Sequence, residues 1–290
     1  MYLTPRRLEK RISRKDAKAQ RKEKKKTLRL CAFARNFLPN ALVRDETMKW
    51  LNLRQSGILA DRYFDILLGD LRNTLLLLLQ APIIAGLIVL VWKNAEQATN
   101  TLYFVMVLTA VWFGCTNSSR EIVKEQAIFF RERMIGVEVP AYVFSKVRVL
   151  AMLDFVQCLT LLLIVNYYIH LLGNKFLHFL TLYLCTLAGT TLGLLISAMM
   201  NSQDKAVGMI PLLIIPQILF SEFALPQELH EGAMKYLERL MLAGWGYENF
   251  KELVSAQPEY LTIIRNDVIL VVFGVGFFFL TIGILKHKKP

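Results

Sequence analysis

Six stretches with few or no charged side chains divide this chain. Thr74–Trp92 and Thr101–Ser119 each run 19 residues without a charge. Coiled as helices they would be about 28 Å long, which suits a hydrocarbon core of about 30 Å. Val149–Leu172 is interrupted only by Asp154, and Leu177–Met200 carries only His178 among residues that take a charge readily. Ala206–Ser221 is shorter and holds Pro211 and Pro216, and Val268–Leu285 is the last. The pattern predicts an all-α polytopic integral membrane protein with six transmembrane helices over residues 73–290. An even number of crossings puts both termini on one side.

A different periodicity precedes the first stretch. Between Ile58 and Gly69, Leu59, Tyr63, Ile66 and Leu67 share one helical face while Asp61, Arg62 and Asp65 fall elsewhere. This predicts an amphipathic helix within residues 56–72, lying in the membrane interface. An extension of the first span is the alternative. The segment Arg120–Met134, REIVKEQAIFFRERM, mixes the two kinds of pattern. As one helix it would align Val123, Ala127, Phe130 and Met134 in a stripe and bring Glu121 within reach of Lys124 at i+3. A solvated connecting loop has no need of Ile128, Phe129 and Phe130, so something apolar is expected to cover them. The expectation is that Phe130 packs on the chain's own spans while Glu121, Glu125 and Glu132 face outward to a partner.

Composition sharpens this picture. Of 290 residues 54% are hydrophobic, and Lys and Arg outnumber Asp and Glu by 35 to 23. Most of that excess sits in the first 30 residues, with 13 basic and 3 acidic groups. Residues 1–55 therefore read as a basic cytoplasmic tail, helical or disordered, attracted to anionic lipid headgroups. Nucleic acid is not an expected partner, because no aromatic residue is interleaved among these charges after Tyr2. No long apolar run follows the tail closely enough for a secretory signal. Basic residues recur in 120–148 and at Lys286, Lys288 and Lys289, whereas the large loop 222–267 has eight acids and four bases. The positive-inside rule then places both termini in the cytoplasm and 222–267 outside.

Candidate chemistry is sparse. Cys31, Cys115, Cys158 and Cys185 have no metal-ligand spacing, and no metal site is expected. No nucleophile, base and orienting acid can be assembled, so no catalytic residue is named. Asp154 follows Arg148 by six residues, and an interfacial salt link between them is expected. Asn117, Ser118 and Ser119 read as caps at the inner end of the second span. His170 and His178 flank a short turn, Gly173–Phe176, and are expected to be exposed there.

Several of these segments resemble the membrane domain of type-2 ATP-binding-cassette exporters, in particular the G (White) subfamily and its bacterial relatives. The most specific stretch is GCTNSSREIVKEQAIFFRERMIGVEVPAYVFSK, Gly114–Lys146, similar to that family's second span, coupling helix and third-span start. DRYFDILLGDLRNTLLLLLQAP, Asp61–Pro82, looks like its connecting helix and first span, and GWGYENF, Gly244–Phe250, like an aromatic segment of its external loop. The resemblance covers Ile58 to Lys286. It implies a dimer of permease subunits, homo- or heteromeric, in the plasma (inner) membrane, with ATP hydrolysis driving export of lipid-like or amphipathic cargo. It also implies a coupling helix at 120–134 that rests on an ATPase, with Glu121, Lys124, Glu125, Arg131, Glu132 and Arg133 in the coupling region. Asp61, Arg62 and Asp65 then belong to the connecting helix, and Thr109, Phe113 and Asn117 to the substrate path.

The resemblance has one large departure. These 290 residues contain neither a G-x-x-x-x-G-K-S/T phosphate loop nor an LSGGQ signature. ATP and Mg are therefore expected on a partner ATPase, either a separate chain or a detached part of a longer one, and no cofactor in this chain. A transport-inactive scaffold with the same fold and a polytopic lipid enzyme are the competing readings. The coupling segment favours the transporter, because it has a purpose only above an ATPase.

Overall fold

The structure, a computed structural model, describes residues 52–94, 99–222 and 233–288. The expected basic tail lies outside these residues except for its last four. Every regular element among the described residues is helical. In chain order they are α1 (Leu53–Gly69), α2 (Leu71–Trp92), α3 (Asn100–Ser118), α4 (Gln126–Met134), α5 (Val139–Ile169), α6 (Lys175–Met199), α7 (Gln203–Leu219), α8 (Ala233–Arg239), α9 (Leu242–Val254) and α10 (Tyr260–His287). A 3-10 turn, Val123–Glu125, precedes α4.

Five of the apolar segments are long and apolar enough to cross a membrane: α2, α3 with its continuation to Met134, α5, α6 and α10. The expected fifth span corresponds to α7, whose 17 residues rise about 26 Å. Pro211 and Pro216 each remove one of its backbone donors. The six-span expectation therefore rests on α7, the shortest of the set. The amphipathic helix is present as α1, with Leu59, Tyr63 and Leu67 buried, Asp61 and Asp65 exposed, and Ile66 exposed against expectation. It is a helix of its own. Asp70 separates it from α2 and caps the latter, its side chain accepting from the Asn73 amide at 3.4 Å.

Helix α3 is the centre of the bundle, with 72% of its span buried, against 22% for α10 at the periphery. Its closest neighbour is α6, and glycines set the distance. A Cβ at Gly114 would lie 2.1 Å from the Thr186 carbonyl oxygen, and one at Gly189 would lie 2.6 Å from that of Val111. At Gly193 it would lie 2.8 Å from the Cys115 carbonyl. Gly189 and Gly193 are four apart, so both sit on the face of α6 that meets α3, and small residues there let the two backbones touch. Within hydrocarbon this close packing replaces the hydrophobic driving force available in water.

The α5–α6 turn and the loop before α10 also fold inward. His170 ends α5 in the left-handed region, at φ 51°, and Gly173 follows at φ +90°. A Cβ at Gly173 would meet the Leu253 carbonyl at 2.4 Å, because α9 is seated against the turn. Much of 222–267 is thus part of the body: Leu242, Ala243, Tyr247 and Phe250 of α9 join the main apolar core. His178 is not an exposed turn residue as expected. It is buried between Tyr103 and Phe250, with ring centroids 6.1 and 4.5 Å away. The cause is α9, whose return into the bundle covers the start of α6. His170 is exposed as expected.

Candidate coupling site

The segment after α3 does not continue as one helix. It turns at Ser119–Ile122, tightens into the 3-10 turn and only then enters α4. A 3-10 turn holds 3.0 residues instead of 3.6, so a stripe drawn across the segment at α-helical spacing loses register. Phe129, not Phe130, is the deeply buried aromatic, with 1% of its surface exposed, and it packs on Tyr142 of α5 at 4.5 Å between centroids. Phe130 is half-buried, and Met134, expected on the inner stripe, is 80% exposed.

The charged side chains follow the same rotation. Glu121 and Glu125 are buried and Glu132 is half-buried, each paired with a residue of this chain. Glu121 accepts from the Tyr63 hydroxyl of α1 and lies 2.6 Å from the Lys124 ammonium. Glu125 lies 2.6 Å from Lys146 of α5, whose ammonium also stands 3.6 Å from the centre of the Tyr63 ring. Glu132 pairs with Arg62 of α1. Burial, reinforced by the Glu121 charge, pushes the Tyr63 hydroxyl well above its usual range, so it stays protonated as the donor. The expectation that these three acids face outward is therefore corrected: their charge is spent within the subunit, because an unpaired buried carboxylate would be costly.

Other bonds fasten the segment to the remaining helices. Arg133 donates to the carbonyls of Leu285 and Lys286 at the end of α10, at 2.9 and 2.8 Å. The Ser197 hydroxyl of α6 accepts from the Ile122 and Val123 amides, both at 3.0 Å. Gln55 of α1 donates to the Gly136 carbonyl and accepts from the Glu138 amide. Four helices, α1, α5, α6 and α10, thus hold one short element. Its free face consists of Ala127, Ile128, Arg131, Met134 and Ile135, all exposed. Ile135 is 83% exposed, an unusual position for an isoleucine beside a charged segment.

Of the predicted residues, Glu121, Lys124, Glu125, Glu132, Arg133 and Arg62 come together in this cluster. Arg131 points outward, and Asp61 and Asp65 lie on the outer side of α1. Sequence reasoning missed Tyr63, Tyr142, Lys146 and Ser197 as members. A signal was available for two of them: Tyr142 and Lys146 are four apart, on one helical face, just before an apolar span.

Thr109, Phe113 and Asn117 are all buried within the subunit. Phe113 is part of the main core. Asn117 belongs to a polar knot instead: its amide nitrogen donates to Asp154 at 2.8 Å and to Gln157 at 2.6 Å. The Thr190 hydroxyl donates to the other Asp154 oxygen at 2.6 Å, and Gln80 donates to Asn117 at 3.1 Å. Asp154 is fully buried, and its expected salt link to Arg148 is absent among the described residues. Six residues turn a helix by about 600°, leaving the two side chains some 120° apart. Ser119, expected with Asn117 and Ser118 as a cap, is the C-cap of α3, its amide bonded to the Cys115 carbonyl.

Among the described residues no group of His, Cys, Asp and Glu is arranged to hold a metal ion, and Cys115, Cys158 and Cys185 are free and buried. Comparison with curated proteins gave no match. A family model described as ABC-2 type transporter matches residues 54–254, which takes in α1 through α9 and well over half the chain. The chain belongs to the ABC-2 type transporter family, and is the membrane-spanning permease component of an ABC transporter.

Proposed function

We propose that this permease is the membrane subunit of an ATP-driven exporter of lipid-like or amphipathic molecules, related to the G (White) subfamily. ATP and Mg sit on a partner ATPase, a separate chain or a detached domain, which docks beneath α4. Two permease subunits, alike or different, enclose the transport path. Both termini lie in the cytoplasm, and the membrane is the plasma (inner) membrane. The observation that carries this reading is the free face of α4. Ile128, Arg131, Met134 and Ile135 stand outward on a segment, residues 119–135, whose inner side is bonded to four helices. A partner pushing on that face would move α1, α5, α6 and α10 together, so a displacement made by nucleotide-driven closure reaches the spans without being absorbed by the loop.

The test is transport in inside-out vesicles that hold this chain together with its ATPase. ATP-dependent accumulation of a short-chain fluorescent phospholipid is expected, lost when Met134 and Ile135 are both replaced by Asp at equal abundance of the complex. Accumulation that is absent in the wild-type complex while ATP is still hydrolysed would favour the transport-inactive scaffold.

A further inference from the structure

Away from the coupling site, α5, α6 and α10 enclose a groove of about 650 Å³. This lies within the range of about 300–1,000 Å³ usual for small-molecule sites. Its walls are apolar side chains, among them Phe144, Leu187 and Phe278, and its floor is kept open where Ala188 and Gly274 meet. It runs along α10 from Leu270 to Lys286, sixteen residues or about 24 Å. Because α10 is the most exposed of the spans, the groove opens toward the bilayer. Its occupant must therefore be hydrocarbon along most of its length.

One end differs. Lys286 lines the groove at the end of α10 where that helix meets the coupling segment, and its side chain is exposed. Arg148 does not line the groove: α5 and α10 run antiparallel and Phe144 meets Phe278, so Arg148 lies a turn further from Lys286. Lys286 has no acidic partner among the described residues. Its ammonium thus stands free at that end of the groove, where long basic side chains reach for the headgroup layer. An apolar trough with positive charge at one end complements an amphiphile with one negative end.

We infer that this groove is a binding site for an anionic phospholipid of the leaflet next to the coupling segment, its acyl chain lying between α5, α6 and α10 and its phosphate on Lys286. This site is separate from the expected substrate path, since none of Thr109, Phe113 and Asn117 lines it. It does not depend on the transport reading. The lipid wedges α10 against α5 and α6, next to the carbonyls that Arg133 grips, and so steadies the helix end that holds the coupling segment.

The experiment uses the full chain in detergent, titrated with dioleoyl phosphatidylglycerol or dioleoyl phosphatidylcholine. Melting temperature and native mass spectrometry are the readouts. Wild type is expected to bind the glycerol lipid in preference and to melt higher with it. Lys286→Gln should reduce that preference by roughly fivefold, the effect of one interfacial charge, while leaving the basic tail unchanged. Gly283→Phe fills the groove, since a Cβ there meets nothing within 4 Å, and should remove one bound lipid without lowering the lipid-free melting temperature. Equal binding of both lipids by wild type, or an unchanged bound-lipid count in Gly283→Phe, would overturn the assignment. So would a Gly283→Phe protein that loses a second copy of the chain instead of a lipid.

Discussion

Replacing Gly189 by Leu is expected to leave no folded permease, while the same replacement at Gly276 is expected to be tolerated. The two positions differ in what a side chain meets. At Gly189 the first added carbon falls 2.6 Å from the Val111 carbonyl, a backbone atom that can yield only if α3 and α6 separate; at Gly276 it meets nothing within 4 Å. Overpacking usually costs about 1–3 kcal/mol. A backbone clash between the central helix and its closest neighbour belongs at or above the top of that range, and it breaks the Thr190 bond to Asp154 and the knot around Asn117 as well. At Gly276 the change should fall within about 0.5 kcal/mol, or improve helix propensity. The yield of monodisperse folded protein, with the melting temperature of whatever is recovered, checks this. Equal losses at the two sites would mean that α3 and α6 are not in backbone contact.

The second large effect is expected at Lys146 and Glu125. Lys146→Met alone should destabilise the chain by about 3–5 kcal/mol, because Glu125 is then left buried without its cation. Glu125→Leu alone should cost a similar amount, since the ammonium keeps only the face of the Tyr63 ring. The double variant should recover most of the loss, as apolar replacement of a whole buried pair is often neutral or better. Denaturant unfolding of the four proteins gives the coupling energy directly. Losses that simply add would show that the pair does not act as a unit.

These two sites mark how far the sequence could be read. The long apolar blocks announced the spans, because a helix in hydrocarbon needs little beyond length and apolarity. The amphipathic α1 was equally legible from the spacing of Leu59, Tyr63 and Leu67. The glycine face of α6 was present in the letters GTTLG, Gly189–Gly193, yet a block of uniform hydropathy hides which face meets which neighbour. Within the coupling segment the residue types were legible and their directions were not. A single 3-10 turn moved Phe129 inward, Met134 outward, and Glu121 and Glu125 into pairs with α1 and α5. Those partners lie 58 and 21 residues away along the chain, beyond the reach of any local period. Asp154 was misjudged for a similar reason: its partners Asn117 and Thr190 come from other helices, and proximity to Arg148 in sequence says nothing about the face it occupies.

On the proposed reading, α4 presents an apolar face to an ATPase while the acids in and before it are paired inside the subunit. The most direct measurement places a photo-activated cross-linking residue at Ile135 in one protein and at Phe130, half-buried on the inner side, in another, and irradiates native membranes. The Ile135 probe is expected to capture a chain carrying a phosphate loop, in a yield that changes with nucleotide, and the Phe130 probe to give only adducts within the permease. Capture of an ATPase from Phe130 and not from Ile135, or of lipid alone from Ile135, would contradict this reading.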